Sequence, residues 1–163
     1  MTGRYVAVVG PAVDPGPAVL ALAEEVGRLL AAGGAVVVTG GGGGVMEAAS
    51  RGAAEVGGVV VGILPGADRR EANPHVGVAI ATGLGEVRNA LVVRAVDAVI
   101  SVGGSWGTLS EVALACRTGV PVVALAGWDL PAEGGPLVAA DPGEAVRVAL
   151  AEGSAGGGGH RPA

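Results

Sequence analysis

The stretch AVISVGGSWGTLSE, residues 98–111, decides the fold class of this chain. An apolar, β-branched run at 98–102 passes through a glycine-rich loop into a helical pattern rich in Ala, Leu and Val. Such a loop between a strand and a helix leaves backbone N–H groups exposed at the positive end of the helix dipole. The stretch therefore predicts a strand–loop–helix unit with a site for an anion, above all a phosphate.

The rest of the chain repeats this alternation of strand and helix. The predicted strands are Tyr5–Val9, Ala35–Thr39, Val59–Leu64, Val76–Ala81, Ala98–Val102 and Val120–Leu125. The predicted helices are Ala18–Ala32, Val45–Val56, Glu86–Val96, Thr108–Thr118 and Pro142–Ala151, the last with Asp141 as its N-cap. Alternation of this kind is typical of an α/β fold, here a single Rossmann-like doubly wound parallel sheet with helices on both faces.

The length of 163 residues fits one domain with a full core. We expect a nucleotide-binding Rossmann-like domain at 1–152 and a disordered glycine-rich tail at 153–163. Half of the residues are apolar and Phe is absent, so the core must consist of Val, Leu, Ile and Ala. That composition suits parallel strands that are buried on both faces.

Charge and cysteine content exclude several classes of protein. All ten basic residues are Arg, so a P-loop lysine and a Schiff-base lysine are both excluded. The net charge of −5 argues against nucleic-acid binding. The single cysteine, Cys116, cannot form an internal disulfide, which favours the cytoplasm, and its apolar surroundings indicate a core residue.

No apolar stretch reaches the ~18 residues of a membrane span, and Val6–Val9 is interpreted as a first strand rather than a signal peptide.

Two glycine loops, 40–44 and 103–107, each follow a predicted strand. With a strand order of 3-2-1-4-5-6 they would face each other across the ligand crevice. The predicted phosphate- or nucleotide-binding residues are Gly41, Gly42, Gly43, Gly103, Gly104, Ser105, Trp106, Gly107 and Thr108. Trp106 could stack on a base or sugar, or it could pack as a plug.

A dinucleotide fingerprint and a metal site are both disfavoured. Val45 occupies the place of the third glycine, and the next strand ends without an acidic residue to hold a ribose. His75 and His160 lie far apart, and no zinc-ligand spacing occurs. With dinucleotide and metal sites disfavoured, the glycine loop predicts a site that fits a single phosphate group.

Arg88 and Glu111 are the predicted reactive residues, and each has two interpretations. Arg88 would lie at the switch point at the end of the fourth strand, where a guanidinium suits a phosphate, or it is a solvated helix residue. Thr108 and Glu111 have the spacing of a capping box, so Glu111 is either a helix cap or an acid–base group. Glu47, in the first turn after the glycine run, is a weaker second candidate.

The residues at 40–46, Arg88 and 103–111 resemble the LONELY GUY cytokinin-activating superfamily, long mislabelled as lysine decarboxylases. Its pattern is a glycine-rich loop, an Arg that opens a mid-chain helix, and a P-G-G-x-G-T-x-x-E loop and helix. This chain has Val102 in the place of the Pro, one extra loop residue, and Asn89 where a Lys is typical. With these three differences, the sequence resembles the branch of the superfamily that contains the molybdenum-cofactor carrier protein.

The resemblance implies a nucleoside 5′-monophosphate phosphoribohydrolase. Arg88 and Glu111 would be the catalytic pair that cleaves the N-glycosidic bond, while Thr108 and the loop glycines hold the phosphate. The alternative that it implies is a non-catalytic molybdenum-cofactor carrier or a nucleotide sensor. No resident cofactor or metal is expected, and the ligand would be a nucleoside monophosphate or a molybdopterin-type molecule. The lysine decarboxylase activity that the old label names is excluded, because no Lys exists to hold pyridoxal phosphate. The expected partners are this small molecule and further copies of the chain, in a homodimer or homotetramer.

Overall fold

The computed structural model describes residues 3–152, so the predicted tail at 153–163 lies outside the described residues. The strands are β1 (Tyr5–Val9), β2 (Val36–Thr39), β3 (Val60–Leu64), β4 (Val78–Ala81), β5 (Ala98–Val102), β6 (Val122–Leu125) and β7 (Leu137–Ala139). The helices are α1 (Pro17–Ala32), α2 (Val45–Glu55), α3 (Asn89–Arg94), α4 (Trp106–Thr118) and α5 (Pro142–Glu152). Short 3-10 helices span Arg69–Glu71 and Gly85–Arg88. The seven described strands form one parallel sheet in the order β4-β3-β2-β1-β5-β6-β7, which confirms the predicted fold class.

The sheet is covered on both faces, and β1 shows why its sequence is uniformly apolar. Val6 and Val8 pack with α1, α2 and α5 on one face. Ala7 and Val9 point to the other face and pack with residues of α3 and α4. Successive side chains of a strand point to opposite faces. A central strand covered on both sides therefore needs apolar residues at every position.

The expected strand order is wrong in one respect, the position of β4. That order places β4 beside β1, but β4 pairs with β3 at the edge of the sheet, and β5 pairs with β1. The burial of the two strands agrees with the observed order. Every residue of β5 is buried, whereas Val78 and Ile80 of β4 are 48% and 46% exposed. Both strands are apolar enough for a central position, so their sequences alone do not distinguish the two orders. The switch point lies between β1 and β5.

Most element boundaries agree with the predicted ones to within two residues, and the differences are local. The helix predicted at 86–96 is a 3-10 turn followed by the short α3, and β7 is not predicted at all because it has only three residues. The predicted cap of α5 is confirmed, since Asp141 accepts a hydrogen bond from the Glu144 N–H at 2.9 Å. No helix within residues 3–152 is long and apolar enough to cross a membrane.

Candidate functional site

A cavity of about 380 Å³ opens at the carboxyl end of β1, and Gly40 and Pro65, which directly follow β2 and β3, also line it. Its walls come from the end of β1, the start of α2, the 3-10 turn before α3, and the first turns of α4. The predicted site residues that line it are Arg88, Ser105, Gly107, Thr108 and Glu111. Ligands of open α/β sheets bind at such a switch point, and the volume lies within the range of small-molecule sites.

The other predicted site residues lie around this cavity without lining it. Gly103 and Gly104 line a hollow of about 20 Å³ on the β6 side of the same loop, which also has Ser105 and Thr108 in its wall. Gly41, Gly42 and Gly43 line neither space, although Gly40 and Met46 at the two ends of that loop line the larger cavity. A role for these glycines in ligand binding stays a prediction.

Helix α4 begins at Trp106, two residues earlier than predicted, and Ser105 is its N-cap. The Ser105 Oγ accepts a hydrogen bond from the Thr108 N–H at 3.2 Å and lies 2.9 Å from the Thr108 Oγ1. The capping-box hypothesis for Thr108 and Glu111 is therefore wrong. The N–H groups of Trp106 and Gly107 have no intrahelical acceptor at this position and are available to a ligand.

Glu111 lies in the second turn of α4, on the face that also carries Gly107 and Thr108. Its side chain is 8% exposed, and no group within residues 3–152 is hydrogen-bonded to its carboxylate. Burial raises the pKa of Glu111 from 4.5 to about 7, and the positive charge of Arg88 opposes part of this shift. The carboxyl group is thus free to exchange a proton or a hydrogen bond with whatever enters the cavity.

Arg88 lies half-buried against the glycine run, so it is not a solvated helix residue. Its guanidinium donates to the Asn89 side-chain oxygen, and its Nη2 lies 3.4 Å from the Gly40 carbonyl oxygen. The absence of a side chain at Gly40 makes this possible, because a Cβ there would lie 2.7 Å from Nη2. The Arg88 Nε is buried without a hydrogen-bond partner. Burial lowers the pKa of Arg88, and the nearby Glu111 carboxylate opposes this effect.

Arg88 and Glu111 face the same cavity but form no salt bridge with each other, and the ion pairs of residues 3–152 join other side chains. A buried carboxyl group and a half-buried guanidinium that do not contact each other destabilise the protein unless other groups form hydrogen bonds with them. A ligand with an anionic group for the guanidinium and a hydrogen-bond donor for the carboxylate would do so.

Trp106 is 79% exposed, which rules out the plug interpretation. It meets Trp128 edge to face, with ring centroids 5.0 Å apart and planes at 75°. The Trp128 ring lies against Gly104, where a Cβ would be 2.6 Å from the Trp128 Cδ1. The stacking of Trp106 on a base or sugar stays a prediction.

Sequence reasoning missed Asn73, which is buried beside the glycine run. Its Nδ2 donates to the Gly42 carbonyl at 2.9 Å and lies 3.3 Å from the Gly41 carbonyl. The Asn73-Pro74 pair is a turn signal in the sequence, but a turn signal does not reveal a partner more than 30 residues away.

Metal coordination has no support in the described part of the chain. No three His, Cys, Asp or Glu residues cluster there. Burial raises the pKa of the Cys116 thiol, which keeps it protonated and disfavours a role as ligand or nucleophile.

Comparison with known proteins identifies the family. The model of the SLOG cluster4 family matches residues 3–149. An uncharacterised protein of Archaeoglobus fulgidus is 46% identical over 104 residues, which are 64% of this chain and 68% of that protein.

Two solved structures are similar over nearly their full lengths. The molybdenum cofactor binding protein of Rippkaea orientalis is 36% identical, with a TM-score of 0.85 and coverage of 93% of this chain and 98% of that one. The molybdenum cofactor carrier protein of Chlamydomonas reinhardtii is 33% identical, with a TM-score of 0.82 and coverage of 92% and 98%. The resemblance to the carrier branch is thereby confirmed. Since the family model spans almost all of the described residues, this protein belongs to the SLOG cluster4 family.

Proposed function

We propose that this protein binds a heterocyclic phosphomonoester of the molybdopterin type and holds it as cargo. The observation that carries the proposal is that two groups of donors meet at one cavity of about 380 Å³: the N–H groups at the N-terminus of α4, and the guanidinium of Arg88, whose Nε has no hydrogen-bond partner. Both are suited to phosphate. The likeness to two proteins that bind or carry the molybdenum cofactor supports the choice of heterocycle.

The chemistry of the cavity divides the ligand into two parts. The N–H groups of Trp106 and Gly107, with the hydroxyl of Thr108, would hold the phosphate, and Arg88 would neutralise it. The carboxylate of Glu111 would accept a hydrogen bond from an N–H or O–H group of the remaining part. Such a ligand gives both Arg88 and Glu111 a polar partner.

Hydrolysis of a nucleoside 5′-monophosphate is the second candidate function. Glu111 favours it, because a buried carboxyl group with a pKa of about 7 is suited to general acid–base catalysis at neutral pH. Glu111 would then activate water or stabilise the developing positive charge on the sugar, and Arg88 would orient the substrate.

Calorimetric titration tests the binding proposal. We expect neopterin 3′-phosphate to bind and unphosphorylated neopterin to bind at least tenfold more weakly, since charge-assisted contacts to phosphate contribute about 1.5–3 kcal/mol each. Adenosine, guanosine and cytidine 5′-monophosphates are titrated in the same way. Failure of every phosphomonoester to bind would contradict the proposal.

Single-turnover incubation at high protein concentration separates a carrier from a hydrolase. A carrier leaves each bound nucleotide intact when the mixture is analysed by chromatography. Release of free base and ribose 5-phosphate, abolished by Glu111→Gln, would establish the hydrolase instead.

Assembly into a homodimer or homotetramer is a further proposal. Leu84, Val87 and Leu91 are 49%, 71% and 41% exposed and recur at helical spacing, so they form an apolar stripe that a second copy could cover. Light scattering coupled to size-exclusion chromatography measures the mass directly, and a monomer at micromolar concentration would contradict this proposal.

A further inference from the structure

Asn73 joins two segments that are far apart in the sequence. It lies between β3 and β4 and is 9% exposed. Its backbone N–H donates to the Gly41 carbonyl at 2.9 Å, and its Nδ2 lies within hydrogen-bond distance of the Gly41 and Gly42 carbonyls. One side chain thus holds two consecutive carbonyl groups of the glycine run.

The segment that carries Asn73 is itself held in place. The Asn73 Oδ1 accepts a hydrogen bond from the His75 N–H at 3.1 Å, and its carbonyl accepts one from the Val76 N–H at 3.2 Å. These bonds close a turn around Pro74. Asn73 therefore anchors the glycine run to a fixed turn.

The orientation of the glycine run follows from peptide geometry. In a trans peptide the carbonyl and the N–H point in opposite directions, and no cis peptide occurs among the described residues. Because the Gly41 and Gly42 carbonyls point toward Asn73, the N–H groups of Gly42 and Gly43 point away from it. No described residue accepts a hydrogen bond from either N–H.

The same anchor controls the wall against which Arg88 lies. Gly40 immediately precedes the two anchored peptides, and the Arg88 Nη2 lies 3.4 Å from its carbonyl oxygen. A shift of Gly40 toward the cavity would displace the guanidinium, because the Gly40 carbonyl oxygen and the Arg88 Nη2 are only 3.4 Å apart. The position of Arg88 thus depends on the path of the backbone that Asn73 holds.

We infer that Asn73 is a positioning residue of the ligand site. It acts through the glycine run, which keeps Arg88 in place and whose Gly42 and Gly43 N–H groups point away from Asn73. This inference rests on the proposed function, since it assigns Asn73 to the binding of the same phosphomonoester.

Asn73→Asp is the variant that tests the inference, because it keeps the shape of the side chain and replaces the donor by an acceptor. We expect its Kd for neopterin 3′-phosphate at 25 °C to rise about tenfold. The Gly42 carbonyl loses the Nδ2 donor, the Gly41 carbonyl keeps only the backbone N–H of residue 73, and a carboxylate oxygen then faces both carbonyls. Asp68→Asn is the matched control. It makes the reverse exchange in the same loop, where Asp68 only pairs with the exposed Arg70, and should keep the wild-type Kd.

A double-mutant cycle distinguishes positioning from a purely structural role. If Asn73 acts through Arg88, the effects of Asn73→Asp and Arg88→Lys on Kd will be smaller together than their sum. An Asn73→Asp protein that is folded by circular dichroism, melts at a lower temperature and binds with the wild-type Kd overturns the inference. Should Asn73→Asp fail to fold, Asn73→Ser is judged by the same Kd criterion.

The two proposals fail in different ways. Absence of phosphomonoester binding by the wild-type protein overturns the proposed function, and the role of Asn73 falls with it. Normal binding by both the wild-type and the folded Asn73→Asp protein overturns only the role of Asn73.

Discussion

The pKa values of Glu111 and Arg88 are shifted by the surroundings of the two side chains. Both are removed from water beside the same cavity, and neither is neutralised by direct contact with the other. Burial therefore dominates both pKa shifts, upward for the carboxyl group and downward for the guanidinium.

The raised pKa of Glu111 predicts a pH-dependent effect of Glu111→Gln. The folded-state pKa of about 7 exceeds the ordinary pKa of 4.5, so stability is lost as pH rises between these values. The shift corresponds to roughly 3 kcal/mol, at about 1.4 kcal/mol per pKa unit. Glu111→Gln should therefore be more stable than the wild type by up to that amount at pH 8, and about equal to it at pH 4.5, by urea denaturation.

The exposed Glu133 is the control for this measurement, and Glu133→Gln should change the free energy of unfolding equally at both pH values. A stability change for Glu111→Gln that is the same at pH 4.5 and pH 8 would contradict the burial argument.

Arg88→Ala should weaken binding of the phosphomonoester by about 10- to 100-fold, because hydrogen bonds to charged groups contribute about 1.5–3 kcal/mol. Arg94→Ala removes an exposed arginine at the end of α3, the helix that follows Arg88, and should leave the Kd unchanged. Titration calorimetry gives both values. Equal affinity of Arg88→Ala and wild type would place the phosphate elsewhere.

At the scale of secondary-structure elements, α1 and α2 approach each other through glycines. A Cβ at Gly52 would lie 1.9 Å from the Glu24 carbonyl oxygen, and one at Gly27 would lie 2.0 Å from that of Ala49. The two helices are thus in backbone contact, which also sets the position of the glycine run at the start of α2.

Gly52→Ala should destabilise the protein although Ala is the better helix former. The propensity gain is about 1 kcal/mol, whereas overpacking typically costs about 1–3 kcal/mol, and the clash here is with backbone. The denaturation midpoint measures the balance. Ala54→Gly, at an exposed position of the same helix, should lower the free energy of unfolding only by the difference in helix propensity between Ala and Gly. A Gly52→Ala protein more stable than wild type would show that the helices can move apart.

At the scale of the whole molecule, the strand order determines which residues meet. The position of β5 beside β1 brings the first turn of α4 next to the end of β1. From β4 at the edge, the chain returns to β5 at the centre of the sheet through the 3-10 turn and α3. Arg88, at the end of this 3-10 turn, thereby reaches the same cavity.

Amide hydrogen exchange should reflect this order. Peptides from β1 and β5, which are paired on both sides, should exchange slowest, and those from the edge strands β4 and β7 markedly faster. Mass spectrometry of quenched samples resolves the four strands. Protection of β4 equal to that of β5 would instead support an order in which β4 lies beside β1.

The sequence by itself determined the α/β class and most element boundaries, and it predicted an anion site at the 103–107 loop with Arg88 and Glu111 as its reactive residues. These follow from local patterns: periodicity, glycine at strand ends, and the spacing of a motif. The absence of Lys alone excluded whole classes of chemistry, because neither a P-loop nor a Schiff base can form without its ammonium group.

Only the tertiary structure decided the order of the strands, the choice of Ser105 over Thr108 as the cap, the separation of Arg88 from Glu111, and the contact of Asn73 with the glycine run. Each of these depends on contacts between segments distant in the chain and on the burial that they produce. Local sequence patterns contain no information on these long-range contacts or on the burial of each residue, because both arise only when the elements pack together.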